Sequence, residues 1–192
     1  MSAPRDQATP ALDAPFARDP SPPLVVIMGV SGCGKSTLAG ALAAQLGWTF
    51  IEGDDCHPRA NRERMASGLP LDDQMREPWV AEVGRRVMAC DGPVLLSFSG
   101  LRRAHREHVR GLRPNVLFIH LELPKAMLEQ RLRQRTGHFM PPDLLDSQLE
   151  ALEPVGNEKN VVILDGTVPV VALLRQAGQV LMQWPAAQRW MS

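Results

Sequence analysis

The sequence predicts a three-layer α/β fold built on a five-stranded parallel sheet. Two observations predict it. Five short apolar runs recur along the chain, each followed by a longer segment of helical character that ends near Gly or Pro. The first run is apolar without alternation, as expected of a strand covered on both faces. The 192 residues suit one domain with a tail and an insertion.

Residues 1–22 include Pro4, Pro10, Pro15, Pro20 and Pro22 and show no apolar period, which reads as a disordered Pro-rich arm. The domain is expected over 23–184, with 185–192 as a C-terminal tail. Leu24 to Met28 is the first strand. Ser36 to Leu46 is an Ala- and Leu-rich helix stopped by Gly47. Thr49 to Ile51 is a short second strand that runs into Glu52-Gly53-Asp54-Asp55. Pro58 to Ser67 is helical, ended by Gly68 and Pro70. Pro78 to Cys90 is a helix with Pro78 in its first turn. Val94 to Ser97 is the third strand and Arg102 to Arg110 a basic helix. Val116 to Leu121 is the fourth strand, followed by a helix from Pro124 to Thr136. Leu144 to Leu152 is a helix after the Pro141-Pro142 break. Val161 to Leu164 is the fifth strand and Val170 to Met182 the last helix. Trp184 and Trp190 read as packing residues, with a contact surface as the other reading.

Charge is balanced, with 21 basic and 21 acidic residues, so bulk electrostatics suggest neither a nucleic-acid nor a membrane partner. Cys33, Cys56 and Cys90 match no zinc spacing and suit a reducing compartment. No apolar run is long enough to span a bilayer, and the N-terminus lacks an apolar signal core. A cytoplasmic protein is expected.

Gly29-Val30-Ser31-Gly32-Cys33-Gly34-Lys35-Ser36 fits the phosphate-loop pattern G-x-x-x-x-G-K-S. Its glycines let backbone N–H groups converge on phosphate oxygens that side chains would otherwise block. Lys35 brings a positive charge to the β- and γ-phosphates, Ser36 offers a hydroxyl to Mg²⁺, and the helix through Thr37 aims its N-terminal dipole at the anion. The pattern sits after a buried strand and before a helix, as it must. ATP with Mg²⁺ is therefore the expected ligand, on a P-loop NTPase fold. No Asn-Lys-x-Asp guanine-reading motif is present. Cys33 within the loop reads as a small filler; because a helix N-terminus lowers a thiol pKa, a redox-sensitive thiol is the alternative.

The second strand ends in carboxylates beside that loop. An alcohol acceptor has a pKa far above neutrality, so a placed carboxylate helps to take its proton. Asp54 is the candidate base, and Asp55 a second carboxylate toward Mg²⁺. His57, Asn61, Arg64 and Arg76 follow in the segment expected to cover a substrate. His57 as a mere helix cap and Arg64 as a solvated face stand as alternatives. Arg102-Arg103-Ala104-His105-Arg106 is the densest basic cluster, a small-anion site or a solvated face. Arg131 and Arg135 are one helical turn apart and open a segment, about 135–152, that reads as a mobile lid over ATP. Pairing with Glu129 and other acids is the alternative reading of these arginines.

Gly53 to Pro58, Asn61, Met65 to Leu71 and Arg76-Glu77-Pro78-Trp79 together resemble the signature of the gluconokinases. The resemblance continues through Ser99, Leu101, Arg106, Arg131, Arg135, Gly137 to Met140, Leu144-Leu145, Ser147-Gln148 and Leu152-Glu153-Pro154. It covers about Val25 to Asp165. It implies a fold like that of nucleoside monophosphate and shikimate kinases, and phosphoryl transfer from ATP to the 6-hydroxyl of D-gluconate. It also implies a homodimer. On that basis Lys35, Asp54 and Arg131 are expected to be catalytic. Residues Gly29 to Thr37, with Arg131 and Arg135, are expected to hold ATP, and Ser36 and Asp55 the metal. Asp54, His57, Asn61, Arg64, Arg76, Arg102, Arg106 and His138 are expected at the substrate. Where the family usually reads Ser-Ala-Leu-Lys, this chain has Ser99-Gly100-Leu101-Arg102. Arg is a fork where Lys is a point charge. A kinase of another small acid such as shikimate and a non-catalytic nucleotide-binding module are the rival readings.

Overall fold

The computed structural model describes residues 20–134 and 144–191. Its strands are β1 (Leu24–Met28), β2 (Thr49–Glu52), β3 (Val94–Phe98), β4 (Val116–Glu122) and β5 (Val161–Asp165). They form one parallel sheet in the order β2-β3-β1-β4-β5. The helices are α1 (Lys35–Leu46), α2 (Arg59–Ala66), α3 (Asp73–Met88), α4 (Arg103–Arg110), α5 (Lys125–Gln134), α6 (Leu145–Ala151), α7 (Val170–Gln183) and α8 (Pro185–Gln188).

Strand periodicity divides the core into two layers. Val25 and Ile27 of β1 pack with Leu38 and Leu42 of α1, Leu128 of α5 and Leu173 and Val180 of α7. Leu24, Val26 and Met28 point the other way, onto Trp79, Val83 and Val87 of α3 and Val109 of α4. All five β1 side chains are fully buried. Each such side chain is worth about 1.5–3 kcal/mol of transfer free energy. The central strand is thus held from both faces, and the loop that leaves its C-terminal end starts from a rigid point.

Three expectations need correction. Helix α3 begins five residues before Pro78, at Asp73, because the Asp72 carboxylate accepts from the Met75 N–H at 2.8 Å and caps the helix there. Pro78 therefore lies inside the helix. The residues after 184 are not a loose tail. Trp184 is fully buried, Ala186 and Ala187 are buried on α8, and the Trp48 indole N–H donates to the Trp190 carbonyl at 3.0 Å. The ordered body also reaches back before residue 23: Asn115 Nδ2 donates to the Ser21 carbonyl at 2.8 Å. Residues 1–19 lie outside the described residues.

Arg106 is the largest correction among the candidate substrate ligands. Its side chain is fully buried and pairs with Glu158, and its Nη1 donates to the Gly100 and Leu101 carbonyls at 2.6 and 3.0 Å. Glu158 also accepts from Arg110 at 3.1 Å, whose guanidinium lies 4.8 Å over the Phe118 ring. Arg106 thus braces the segment after β3 and the segment before β5, and no donor is left for a substrate.

Burial would raise the Glu158 carboxyl, but hydrogen bonds from Arg106 and Arg110 outweigh it and hold the pKa below the ordinary value. A depressed carboxylate stabilises the fold above its unfolded pKa, and that stability is lost as pH falls through the folded value. Glu158→Gln is expected to cost about 3 kcal/mol at neutral pH, because buried Arg106 loses its counter-charge and partly buried Arg110 loses one of two. Denaturant melts should also show a smaller loss of stability on acidification in the variant than in the parent. Equal acid sensitivity would remove Glu158 as the responsible group.

Candidate active site

Chain geometry first builds the phosphate loop. Gly34 caps α1 at φ 100°, a left-handed conformation that side chains rarely adopt, and nothing lies where a Cβ would go. The turn is thus open on the side where an anion must approach the first α1 amides. Lys35 is 8% exposed, and its ammonium donates to the Val30 carbonyl at 3.2 Å, so it arches back over the loop. Gly29 N–H donates to the Ser99 carbonyl at 3.2 Å, which ties the loop's start to the end of β3. Ser36 Oγ is 3.4 Å from Ser97 Oγ.

The loop floors a cavity of about 340 Å³. Ser31 to Thr37, Asp54 and Arg131 line one part of it, and Leu38, Val168, Val170 and Leu173 give it apolar walls. Arg131 comes from α5 and donates to the Gly166 carbonyl at 3.0 Å and to the Cys33 carbonyl at 3.4 Å. Cys33 fits the filler reading and opposes the redox alternative. It is fully buried, and desolvation raises its pKa despite the nearby charges of Lys35 and Arg131. A neutral thiol is a poor nucleophile and a poor redox sensor.

A narrow second cleft adjoins the first. Ser31, Lys35 and Asp54 line both. The second is completed by His57, Arg76, Trp79, Ser99, Ser147 and Gln148, with Met65, Pro70, Leu71, Leu101 and Leu144 as apolar walls. Asp54 is placed by a 3₁₀ turn, Gly53–Cys56, that the sequence reading did not foresee. The Glu52 carboxylate caps it by accepting from the Asp54 N–H at 3.3 Å. Gly53 is required by crowding rather than by φ, since a Cβ there would collide with the Ser97 carbonyl oxygen. From α3, the Trp79 indole N–H donates to the Gly53 carbonyl at 2.7 Å. The same ring stacks between His57, at 4.4 Å, and Phe98, at 4.7 Å. The acceptor-side turn therefore hangs on a tryptophan 26 residues away.

His57 is 6% exposed, and its Nδ1 has no hydrogen-bond partner. Burial, aided by the charges of Arg62 and Arg76, pushes its pKa down to about 4. The ring is neutral at physiological pH and suits a hydroxyl rather than a carboxylate. The cation available to a bound carboxylate in the cleft, besides Lys35, is Arg76, which now faces Asp73 at 3.0 Å.

Other expected ligands fall elsewhere. Asp55 is exposed and lines neither cavity; its carbonyl accepts from Arg86 at 3.4 Å. The 3₁₀ turn rotates successive side chains apart, so Asp54 faces inward and Asp55 outward. Asn61 donates to the Met75 carbonyl at 2.7 Å and Arg64 to the Pro70 carbonyl at 2.9 Å. These two shape the α2–α3 connection without lining the cleft. Arg102 lies outside, with Asp73 at 3.8 Å and Glu153 at 3.6 Å. Val30 is buried beneath the loop and contributes its carbonyl. Arg135, His138 and the 135–143 part of the expected lid lie outside the described residues. Among the described residues no group of three or more His, Cys, Asp or Glu side chains could hold a metal. No helix among them is long and apolar enough to cross a membrane.

Trp79, Ser99, Ser147 and Gln148 line the cleft but were not foreseen as site residues. All lie within segments of family resemblance, and that was the only signal. Two of them have partners far off in sequence: Trp79 pairs with Gly53, 26 positions away, and Gln148 with Ser31, 117 positions away.

A family model described as an AAA domain matches residues 24–155. The gluconokinase of Gluconobacter oxydans (strain 621H) is 45% identical over 149 residues, covering 76% of this chain and 83% of that protein. The thermoresistant gluconokinase of Escherichia coli (strain K12) is 37% identical, covering 82% of this chain and 93% of that protein. The crystal structure of a gluconokinase from Sinorhizobium meliloti 1021 superposes with a TM-score of 0.75 at 38% identity, covering 88% of this chain and 94% of that one.

Proposed function

Since the chain belongs to the gluconokinase family, we propose that it transfers the γ-phosphoryl group of ATP to the 6-hydroxyl of D-gluconate, giving 6-phospho-D-gluconate and ADP. The observation that carries this reading is the wall shared by two cavities. Ser31, Lys35 and Asp54 border a nucleotide-sized cavity on one side and a narrow, cation-bearing cleft on the other. Donor and acceptor thus meet at a carboxylate and an ammonium, the groups that such a transfer needs.

The loop amides and Lys35 bind the phosphates, and Arg131 adds charge from α5. Val168, Val170 and Leu173 offer an apolar face to the base. Oxygen donors suit Mg²⁺, and the Ser36 hydroxyl would hold it. Bound there, the cation neutralises phosphate charge. In the cleft, Arg76 takes the acceptor's carboxylate in place of Asp73. Neutral His57, Ser99 and Ser147 face its hydroxyls, and Asp54 accepts the proton of the attacking one. A homodimer and a cytoplasmic location complete the proposal; sedimentation of the purified chain tests the first.

Coupled ADP-release assays over a panel of sugar acids and shikimate decide the acceptor. Turnover is expected with gluconate and not with shikimate. Preference for shikimate would establish the rival kinase. ATP binding with no turnover on any acid would establish a regulatory module.

A further inference from the structure

Gln148 grips the third residue of the phosphate loop with both ends of its amide. Its Oε1 accepts from the Ser31 N–H at 2.7 Å, and its Nε2 donates to Ser31 Oγ at 3.0 Å. A side-chain amide can satisfy both partners at once because one end accepts and the other donates from a single plane. Both residues line the acceptor cleft, and Ser31 lines the nucleotide cavity as well. The helix that carries Gln148 is itself fixed. Leu145 and Ala151 are buried in the core, and Asp146 pairs with Lys125 of α5 at 2.6 Å. The α6 wall of the cleft therefore stands at a set distance from the donor loop.

We propose that Gln148 is a positioning residue for phosphoryl transfer, clamping the α6 wall to Ser31 so that the sugar-acid hydroxyl, and not water, occupies the space between loop and cleft. The proposal rests on the acceptor assignment above. Water is the competitor because it is also an oxygen nucleophile. If its oxygen bonds to the γ phosphorus, the bond to the β–γ bridging oxygen breaks and that electron pair leaves with ADP. The water proton passes to solvent, and the product is inorganic phosphate.

The test measures ADP release and 6-phosphogluconate in parallel on the full chain, with and without gluconate. In Gln148→Ala, product formation is expected to fall about tenfold while the KM for ATP stays within about threefold, the signature of lost positioning rather than lost donor binding. The ratio of ADP to product should rise above one. Gln148→Glu restores the ratio toward one, because a carboxylate accepts from both the Ser31 N–H and its hydroxyl. A ratio that stays at one in Gln148→Ala overturns the proposal, since a purely structural role lowers both outputs together. Should Gln148→Ala fail to fold, Ser31→Ala removes one of the two bonds and is read in the same way. If the wild type makes no 6-phosphogluconate, the acceptor assignment falls by itself. Acceptor-independent ADP release then decides: faster release in the variant than in the parent upholds the clamp, and equal or slower release overturns it.

Discussion

Replacing Lys35 with methionine is expected to lower kcat by about three orders of magnitude while leaving the melting temperature nearly unchanged. Methionine matches the stem that lies along the loop but removes the charge. Lys35 is 8% exposed and lines the wall common to both cavities, so its ammonium interacts with transferring charge where little water competes. In the structure it donates to the Val30 carbonyl. Exchanging one neutral carbonyl for phosphate oxygens costs little and gains a charge-assisted bond. The gain grows as charge moves to the leaving oxygen, which makes it a term in kcat more than in KM. Steady-state kinetics with saturating gluconate check this, with ADP binding measured separately. A variant with full kcat and only a raised KM for ATP would reduce Lys35 to a binding residue.

The parallel sheet was legible because its signal is local. The unbroken, β-branched apolar run Leu24 to Met28, between Pro23 and Gly29, reads as a strand covered on two sides, and Gly47 and Gly68 stop helices by their own backbone freedom. The phosphate loop was legible for the same reason: eight consecutive residues make it. The acceptor cleft is different. Asp54 is aimed inward by a 3₁₀ turn that depends on Trp79 from α3 and on the close approach of Gly53 to the Ser97 carbonyl. Adjacent Asp54 and Asp55 were both expected at the site, as base and as metal ligand, yet only Asp54 lines the cavities. Arg106 misled in the same way. A cationic residue in a motif reads as a ligand, but the buried Glu158 that claims it lies 52 positions on. Pairings of this kind follow from the tertiary fold, which no spacing rule contains.

The Asp54 and Asp55 pair turns that argument into a second measurement. Asp54→Asn is expected to lower kcat by about two to four orders of magnitude, the range seen when a placed general base is lost. Asparagine keeps the side chain's size, so the Gly53–Cys56 turn, the Glu52 cap and the Trp79 hydrogen bond should survive. ATP binding should therefore change little, and the loss should fall on turnover with saturating gluconate. Asp55→Asn makes the paired control: one residue away, of the same chemistry, but exposed and outside both cavities. Its kcat should stay within about threefold of the parent, as for a surface substitution. If Asp55→Asn is the damaging change and Asp54→Asn the silent one, the inward rotation of the turn is wrong. If both are silent, proton acceptance is not limiting, and the catalytic weight rests on Lys35 and Arg131.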